Sequence, residues 1–306
     1  MRIALIGSNG QLGSDLLPRL QTAGHDVVPL RHADIEITDK DNVAAVLEPL
    51  RPDLVLNTAA YNLVDKAEDE PDVAMLVNAA GPQNLARLCA VNGWRLMQIS
   101  TDYVFDGATD PTSARRGSPD PAAEPTAGLP KPPSATIGRP TVETAAGSGA
   151  PRRAPLLRPW TELDLVIPNG RYALTKWTGE QLVLAGCSRS FVVRTCGLYG
   201  LAALHGAGKG NFVETMLRLG RERKQLRVVD DQTCTPTSSA DLADALVKLI
   251  ATDAFGLYHA TNSGSMTWCE FAREIFRLAK LDVEVIPITT AEFGAKAMRP
   301  AYSVLD

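Results

Sequence analysis

Arg2-Ile3-Ala4-Leu5-Ile6, a short apolar run that reads as a buried strand, passes directly into Gly7-Ser8-Asn9-Gly10-Gln11-Leu12-Gly13. Leu16, Leu17 and Leu20 follow at helical spacing. This succession of strand, glycine turn and helix constrains the fold more than any other stretch of the chain. Glycines at 7, 10 and 13 let backbone approach a pyrophosphate closely, and the helix behind them offers N–H groups and positive potential to the same anion. The spacing is G-x-x-G-x-x-G rather than G-x-G-x-x-G, so its weight comes from its place between a first strand and a first helix.

Further strands and helices alternate after it. Strands are expected at Asp26–Leu30, Pro52–Asn57, Trp94–Ile99, Ser190–Arg194, Leu226–Asp230 and Gly256–Ala260. Helices are expected over Asp41–Leu50 with Thr38 or Asp39 as cap, and over Asp72–Val91 with Asn78 on it. Others begin at Tyr172, run from Asn211-Phe212 to Leu219, carry Leu242, Ala245, Leu246 and Leu249 on one face, and extend from a Thr267 cap to Leu278. Such alternation predicts an α/β chain: a doubly wound, mostly parallel Rossmann sheet with a smaller C-terminal substrate domain. The dinucleotide-binding part is assigned to 1–107, 159–195 and 226–260, and the substrate-binding part to 196–225 and 261–306.

In open α/β sheets ligands bind outside the carboxyl ends of the strands, so the residues there are the candidates. An acid for the ribose 2′-hydroxyl is expected about 20 residues past the glycines. Arg31 and His32 stand there instead. A guanidinium suits a 2′-phosphate, which favours NADPH over NADH. The third strand ends in the small residues Thr58-Ala59-Ala60, which let a cofactor lie close. The fourth delivers Ser100-Thr101-Asp102, where a hydroxyl could bind a carbonyl oxygen. Tyr172 and Lys176 are four apart on a helix and share a face. A cation beside a phenol favours the phenolate and lowers its pKa toward working pH. That pair is suited to protonating an oxygen while hydride arrives on its carbon.

The pattern breaks after Gly107. From Ala108 to Pro159 there is no aromatic residue, and ten of the chain's 21 prolines fall between Pro111 and Pro155. Such a segment buries too little apolar surface to offset its ordering entropy, so 108–158 is expected to be a disordered insertion. A glycine-rich loop at Gly206, Gly208 and Gly210 precedes Asn211.

Composition excludes several classes. The formal net charge of −4 gives no basic footprint for a nucleic acid. The five cysteines are scattered, without a CxxC or Cys/His cluster, so no metal site is expected and reduced thiols in a cytoplasm fit best. No charged leader followed by an apolar core opens the chain, and no apolar run is long enough to span a membrane.

Taken in order, Gly7–Gly13, Asn57–Glu68, Ser100–Gly107, Tyr172–Lys176 and Arg194–Gly200 resemble the dTDP-4-dehydrorhamnose reductase family of extended short-chain dehydrogenase/reductases. Gly-Gln-Leu-Gly (10–13), Val-Asp-Lys-Ala-Glu (64–68), Ser-Thr-Asp-Tyr-Val-Phe-Asp-Gly (100–107) and the closing Arg-Pro-x-x-Ser (299–303) are specific in combination. The resemblance implies reduction of the C4 ketone of dTDP-4-dehydro-L-rhamnose by NADPH or NADH. It would make Tyr172 the proton donor and Lys176 the residue that holds the ribose. Thr101 would orient the ketone and Asp102 touch the substrate. Gly10, Gln11, Leu12, Asp34, Ile35, Ala60, Tyr61 and Asn62 would contact the dinucleotide. Arg31 stands where many members carry an acid, and Gly197 where many have a tryptophan over the substrate. The implied partner is a nucleotide sugar, with a homodimer left open. The alternatives are an epimerase or dehydratase of the same superfamily, or a non-catalytic NADP-binding regulatory subunit. No Glu follows Asp102, unlike the usual dehydratase arrangement, and Thr101, Tyr172 and Lys176 are all present, unlike the regulatory relatives.

Overall fold

The glycine turn does separate a strand from a helix. In a computed structural model that describes residues 1–107, 158–202 and 210–306, β1 (Arg2–Ile6) leads into α1 (Gln11–Thr22), β2 (Asp26–Leu30) and α2 (Lys40–Leu50). Then come β3 (Leu54–Asn57), α3 (Pro71–Met75), a π-helical turn at Leu76–Ala80, α4 (Gly81–Asn92) and β4 (Arg95–Thr101). The chain resumes with α5 (Arg171–Gly186) and β5 (Ser190–Thr195), and after β6 (Leu198–Tyr199) come α6 (Phe212–Glu222) and β7 (Gln225–Val229). Two short strands, β8 (Thr233–Cys234) and β9 (Thr237–Ser238), precede α7 (Ser239–Leu249) and β10 (Gly256–His259). β11 (Met266–Thr267), α8 (Trp268–Ala279), β12 (Glu284–Ile288) and α9 (Thr290–Phe293) complete it. The expected insertion up to residue 157, with Gly206 and Gly208, lies outside the described residues.

Six parallel strands form one sheet in the order β10-β5-β4-β3-β1-β2. Toward their N-terminal and middle parts their side chains are mostly apolar on both faces, as a parallel sheet covered on both sides requires. Leu12, Leu16 and Leu20 of α1 and Leu242 and Leu246 of α7 cover one face. Val43 and Leu47 of α2, Leu85 and Cys89 of α4 and Val183 of α5 cover the other. Strand order reverses between β1 and β3, so the ligand crevice opens between the turns after those two strands.

β7 pairs in parallel with β12, outside the six-stranded sheet. Leu226 and Val228 pack with Met216 of α6 and with Phe271, Ile275 and Phe276 of α8. The strand read at Leu226–Asp230 therefore joins this second cluster and not the dinucleotide sheet to which the 226–260 segment assigns it. Its alternating apolar residues fit either sheet, and contact with α6 and α8 decides. Asp39, not Thr38, caps α2, accepting from the N–H groups of Asp41 and Asn42. Thr267 caps α8 in a full capping box with Glu270.

Candidate active site

Two of the three glycines of the first turn stand where a side chain would not fit. A Cβ on Gly13 would lie 2.2 Å from the Gly7 carbonyl oxygen, and Gly7 has φ +77° with Thr58 close beside it. Gly10 precedes α1 in extended geometry and makes no side-chain cap, so the first N–H groups of the helix are left for a ligand. Leu12 is buried under the turn, and the Gln11 carboxamide oxygen accepts from Asn211 Nδ2 at 3.0 Å. This cradle fits a pyrophosphate.

The Gly7 and Ser8 N–H groups bond the Leu30 carbonyl, which brings the end of β2 alongside the turn. Arg31 lies just beyond, its Nε 3.0 Å from Asp34 Oδ2. The guanidinium is thus at the expected place but shares its charge with Asp34. Ile35 is buried in the core against α2 rather than open to the crevice.

After β3, Ala60-Tyr61-Asn62 is fastened by a residue that the sequence reading only placed on a helix. Asn78 Oδ1 accepts from the Tyr61 N–H at 2.9 Å, and its Nδ2 donates to the Tyr61 carbonyl at 3.0 Å and to Thr175 Oγ1 at 3.1 Å. Asn78 sits in the π-helical turn, where one extra residue redirects the side chain inward. The turn packs so closely on α5 that a Cβ on Gly179 would lie 2.0 Å from the Asn78 carbonyl. Asn78 therefore joins the Ala60–Asn62 loop to the helix that carries Tyr172 and Lys176.

The fourth strand runs through Thr101, two residues further than its sequence suggests, and so delivers that hydroxyl from rigid backbone. Thr101 Oγ1 accepts from the Tyr103 N–H at 3.2 Å and donates to Asp102 Oδ1 at 3.0 Å. Asp102 is buried, accepts from Cys196 Sγ on Oδ2 at 2.9 Å, and has its carboxyl pKa raised by desolvation. Gly197, the remaining substrate candidate, lies beyond the end of β5 with φ +53°, against Pro236.

Tyr172 lies at the start of α5 with its ring edge-on to Tyr103. Burial pushes its phenol up to about 12, and the Thr101 hydroxyl, by bonding the phenolate, opposes part of that rise. Lys176 does not bring the phenol toward neutrality, contrary to the expectation from their spacing. Helical spacing fixes a shared side but not reach: the ammonium extends to the Ile99 carbonyl, 2.7 Å away. Burial lowers Lys176 to about 8, with Glu180 opposing. Behind it, Glu180 and Arg194 form a two-bond ion pair at 2.9 and 2.7 Å, fully enclosed between α5 and β5. His259 is packed between Arg194 and the Trp160 carbonyl, a structural and not a ligating place.

A cavity of about 880 Å³ lies instead between α7 and the loop after β10, lined in part by Asp241, Asn262 and Tyr302. None of Thr101, Tyr172 and Lys176 lines it. Among the described residues no group of three or more His, Cys, Asp or Glu is arranged to hold a metal, and no helix is long and apolar enough to cross a membrane.

A Rossmann sheet with this glycine cradle at its switch point, and Thr101, Tyr172 and Lys176 gathered at the ends of β4 and α5, defines a nicotinamide-dependent oxidoreductase of the short-chain dehydrogenase/reductase type. The chain matches the family model described as RmlD substrate binding domain over residues 1–125 and 155–306, and it belongs to that family. A dTDP-4-dehydrorhamnose reductase of Streptomyces griseus is 37% identical over 312 residues, spanning all of this chain and 85% of that protein. A spore coat polysaccharide biosynthesis protein of Bacillus subtilis is 34% identical, over all of this chain and 89% of its own length. The crystal structure of a dTDP-4-dehydrorhamnose reductase from Bacillus anthracis in complex with NADP superposes with a TM-score of 0.80 at 35% identity, covering all of this chain and 90% of that one.

Proposed function

We propose that this protein reduces the C4 ketone of a dTDP-linked 4-keto-6-deoxysugar with NADPH, converting dTDP-4-dehydro-L-rhamnose to dTDP-L-rhamnose in the cytoplasm. The observation that carries the reading is the Thr101 hydroxyl set against the Tyr172 phenol, with the buried Lys176 one helical turn further along α5. The relatives' names point to the same substrate class.

When bound in the crevice, NADPH supplies the hydride that the ketone carbon receives. The cradle of Gly7, Gly10 and Gly13 with the first turn of α1 would hold its pyrophosphate, and Ala60–Asn62 would lie along it. Tyr172 stays protonated up to about 12, so at neutral pH it has a proton to give to the developing alkoxide. Lys176 would offer its ammonium N–H donors to the ribose. Thr101 has one hydrogen, and in this structure it points to Asp102. Burial raises the Asp102 carboxyl pKa, and the hydrogen bonds from Cys196, Ser303 and Thr101 oppose that rise. Turning the Thr101 hydrogen from Asp102 to the substrate oxygen would supply the second hydrogen bond there. Tyr103, not a Glu, follows Asp102, which supports simple reduction over dehydration.

The purified chain, incubated with NADPH and dTDP-4-dehydro-L-rhamnose, is expected to consume the nicotinamide absorbance and release dTDP-L-rhamnose. Binding of NADPH without turnover of any keto-sugar would favour a regulatory subunit.

Lys176 makes the pH dependence specific. Its ammonium is charged below about 8 and neutral above, whereas Tyr172 keeps its proton to about 12. The profile of kcat/KM, which reports groups of the free enzyme, is therefore expected to be level near neutrality and to fall above about 8. Lys176→Arg, whose charge does not titrate, should remove that limb from whatever activity remains. A wild-type profile level through pH 9.5 would contradict the assignment.

Cofactor choice rests on Arg31. Arg31→Asp removes a donor for the 2′-phosphate and offers an acceptor to a 2′-hydroxyl, so the ratio of kcat/KM values should move toward NADH by about tenfold or more. An unchanged ratio would mean that the Asp34 contact occupies Arg31 fully.

A further inference from the structure

Three of the sequence motifs meet at one place that the mechanism above does not use. Asp65 of Val64–Glu68 accepts from Arg299 of the closing Arg-Pro-x-x-Ser through two bonds, Nη1 to Oδ1 at 3.1 Å and Nη2 to Oδ2 at 2.8 Å. Asp65 Oδ1 also accepts from the Ala297 N–H at 3.0 Å, and Lys296 bonds Asp69. These contacts hold the Asp65 carboxyl below its ordinary value, chiefly through Arg299. The same guanidinium lies within electrostatic reach of Tyr103, from Ser100–Gly107. Tyr103 in turn stands edge-on to Tyr172, ring centroids 5.8 Å apart at 86°.

The strand of chain carrying Arg299 is tightly located. A Cβ on Gly107 would lie 2.5 Å from Pro300 Cα and from the Ala301 nitrogen, so that motif ends in glycine where the C-terminal segment crosses it. Beyond the crossing, Ser303 Oγ meets Cys196 Sγ at 3.8 Å, and the Trp160 N–H donates to the Val304 carbonyl at 2.8 Å. Arg299 is therefore fixed from both sides, with only 17% of its side chain exposed. A bidentate guanidinium–carboxylate pair adds directional rigidity that a lysine would not.

We propose that Arg299 is a positioning residue for proton transfer: anchored on Asp65, it fixes the Tyr103 hydroxyl, and the Tyr103 ring fixes the Tyr172 phenol. This rests on the reading of Tyr172 as the proton donor. Edge-to-face aromatic contact restricts ring orientation, and a displacement of about 1 Å at a reacting group can cost up to about 100-fold in rate.

The test uses the full chain as wild type, Tyr103→Phe, Arg299→Gln, their double variant and Tyr172→Phe. Single-turnover NADPH oxidation is followed with saturating dTDP-4-dehydro-L-rhamnose, together with the NADPH dissociation constant and Tm. Each of Tyr103→Phe and Arg299→Gln is expected to slow the turnover about tenfold with NADPH affinity held, and the double variant to be no slower than the slower single. Should Arg299→Gln fold poorly, Arg299→Lys, which keeps the charge but not the two-bond geometry, takes its place with the same expectation. Rates within about twofold of wild type would overturn the proposal, as would losses that multiply in the double variant alongside a falling Tm. A raised KM with kcat unchanged would overturn it too, by placing Arg299 on the substrate. If these variants keep the rate while Tyr172→Phe loses it, only the positioning role fails. If Tyr172→Phe keeps the rate, the proton-donor reading fails and the proposal with it.

Discussion

Tyr172→Phe is expected to lower kcat by about 10²- to 10⁴-fold, the usual worth of a positioned general acid. The substitution keeps the ring, and with it the edge-on contact to Tyr103, but removes the hydroxyl that Thr101 serves. NADPH affinity should change little, because the glycine cradle and Lys176 are untouched. Thr101→Val should cost less, since it removes a hydrogen bond and leaves the acid in place. Stopped-flow oxidation with both variants checks the order. A Tyr172→Phe rate within about threefold of wild type would remove the phenol from the mechanism, because a group that supplies the proton is not that dispensable.

The largest loss of stability is expected from Glu180→Ala. Its carboxylate and the Arg194 guanidinium are enclosed, with side chains 0% and 2% exposed, and Arg194 also lies over the Phe105 ring. Removing the acid leaves a buried guanidinium without its counter-charge, a change that costs about 3–5 kcal/mol. For a chain of this size the melting temperature should fall by about 10 °C. Glu180→Gln, which can still accept from the guanidinium, should lose less. The same residue opposes the burial of Lys176, so its removal lowers the Lys176 pKa further. The alkaline limb of kcat/KM should then move below about 8 in any Glu180 variant that folds. A Glu180→Ala protein that melts within about 1 °C of wild type would show that water or another acceptor replaces the carboxylate.

Local features were readable from the residues. A glycine turn between strand and helix needs nothing beyond its neighbours, and neither do caps such as Thr267, where the serving and served atoms are three residues apart. Thr101 and Tyr172 could be placed for the same reason, each standing at an element end that the pattern defines, and Lys176 by its helical spacing from Tyr172. What the pattern leaves open is reach and direction. Lys176 sits on the face expected of it, yet its Nζ finds the Ile99 carbonyl 77 residues away in sequence. Thr101's hydrogen points to Asp102 because that acid is the next residue and is buried beside it. Asn78 gains its three partners only because a π-helical turn rotates it inward, and a single extra residue in a helix leaves no periodic signature. Asp65 and Arg299 are 234 residues apart, and each looks alone like a solvated surface charge. The pairing of β7 with β12 was equally hidden, since alternation states which face of a strand is buried but not which neighbour it takes.

The central claim is that Tyr172 and its neighbours serve hydride delivery to C4 of a nucleotide-linked keto-sugar. Single-turnover reaction of the purified chain with dTDP-4-dehydro-L-rhamnose and NADPH deuterated at the transferring position of nicotinamide C4 tests it directly. The expected product is dTDP-L-rhamnose with one deuterium at sugar C4, formed in step with loss of the nicotinamide absorbance. NADPH that binds but is not oxidised, or is oxidised without deuterium reaching sugar C4, would contradict the account.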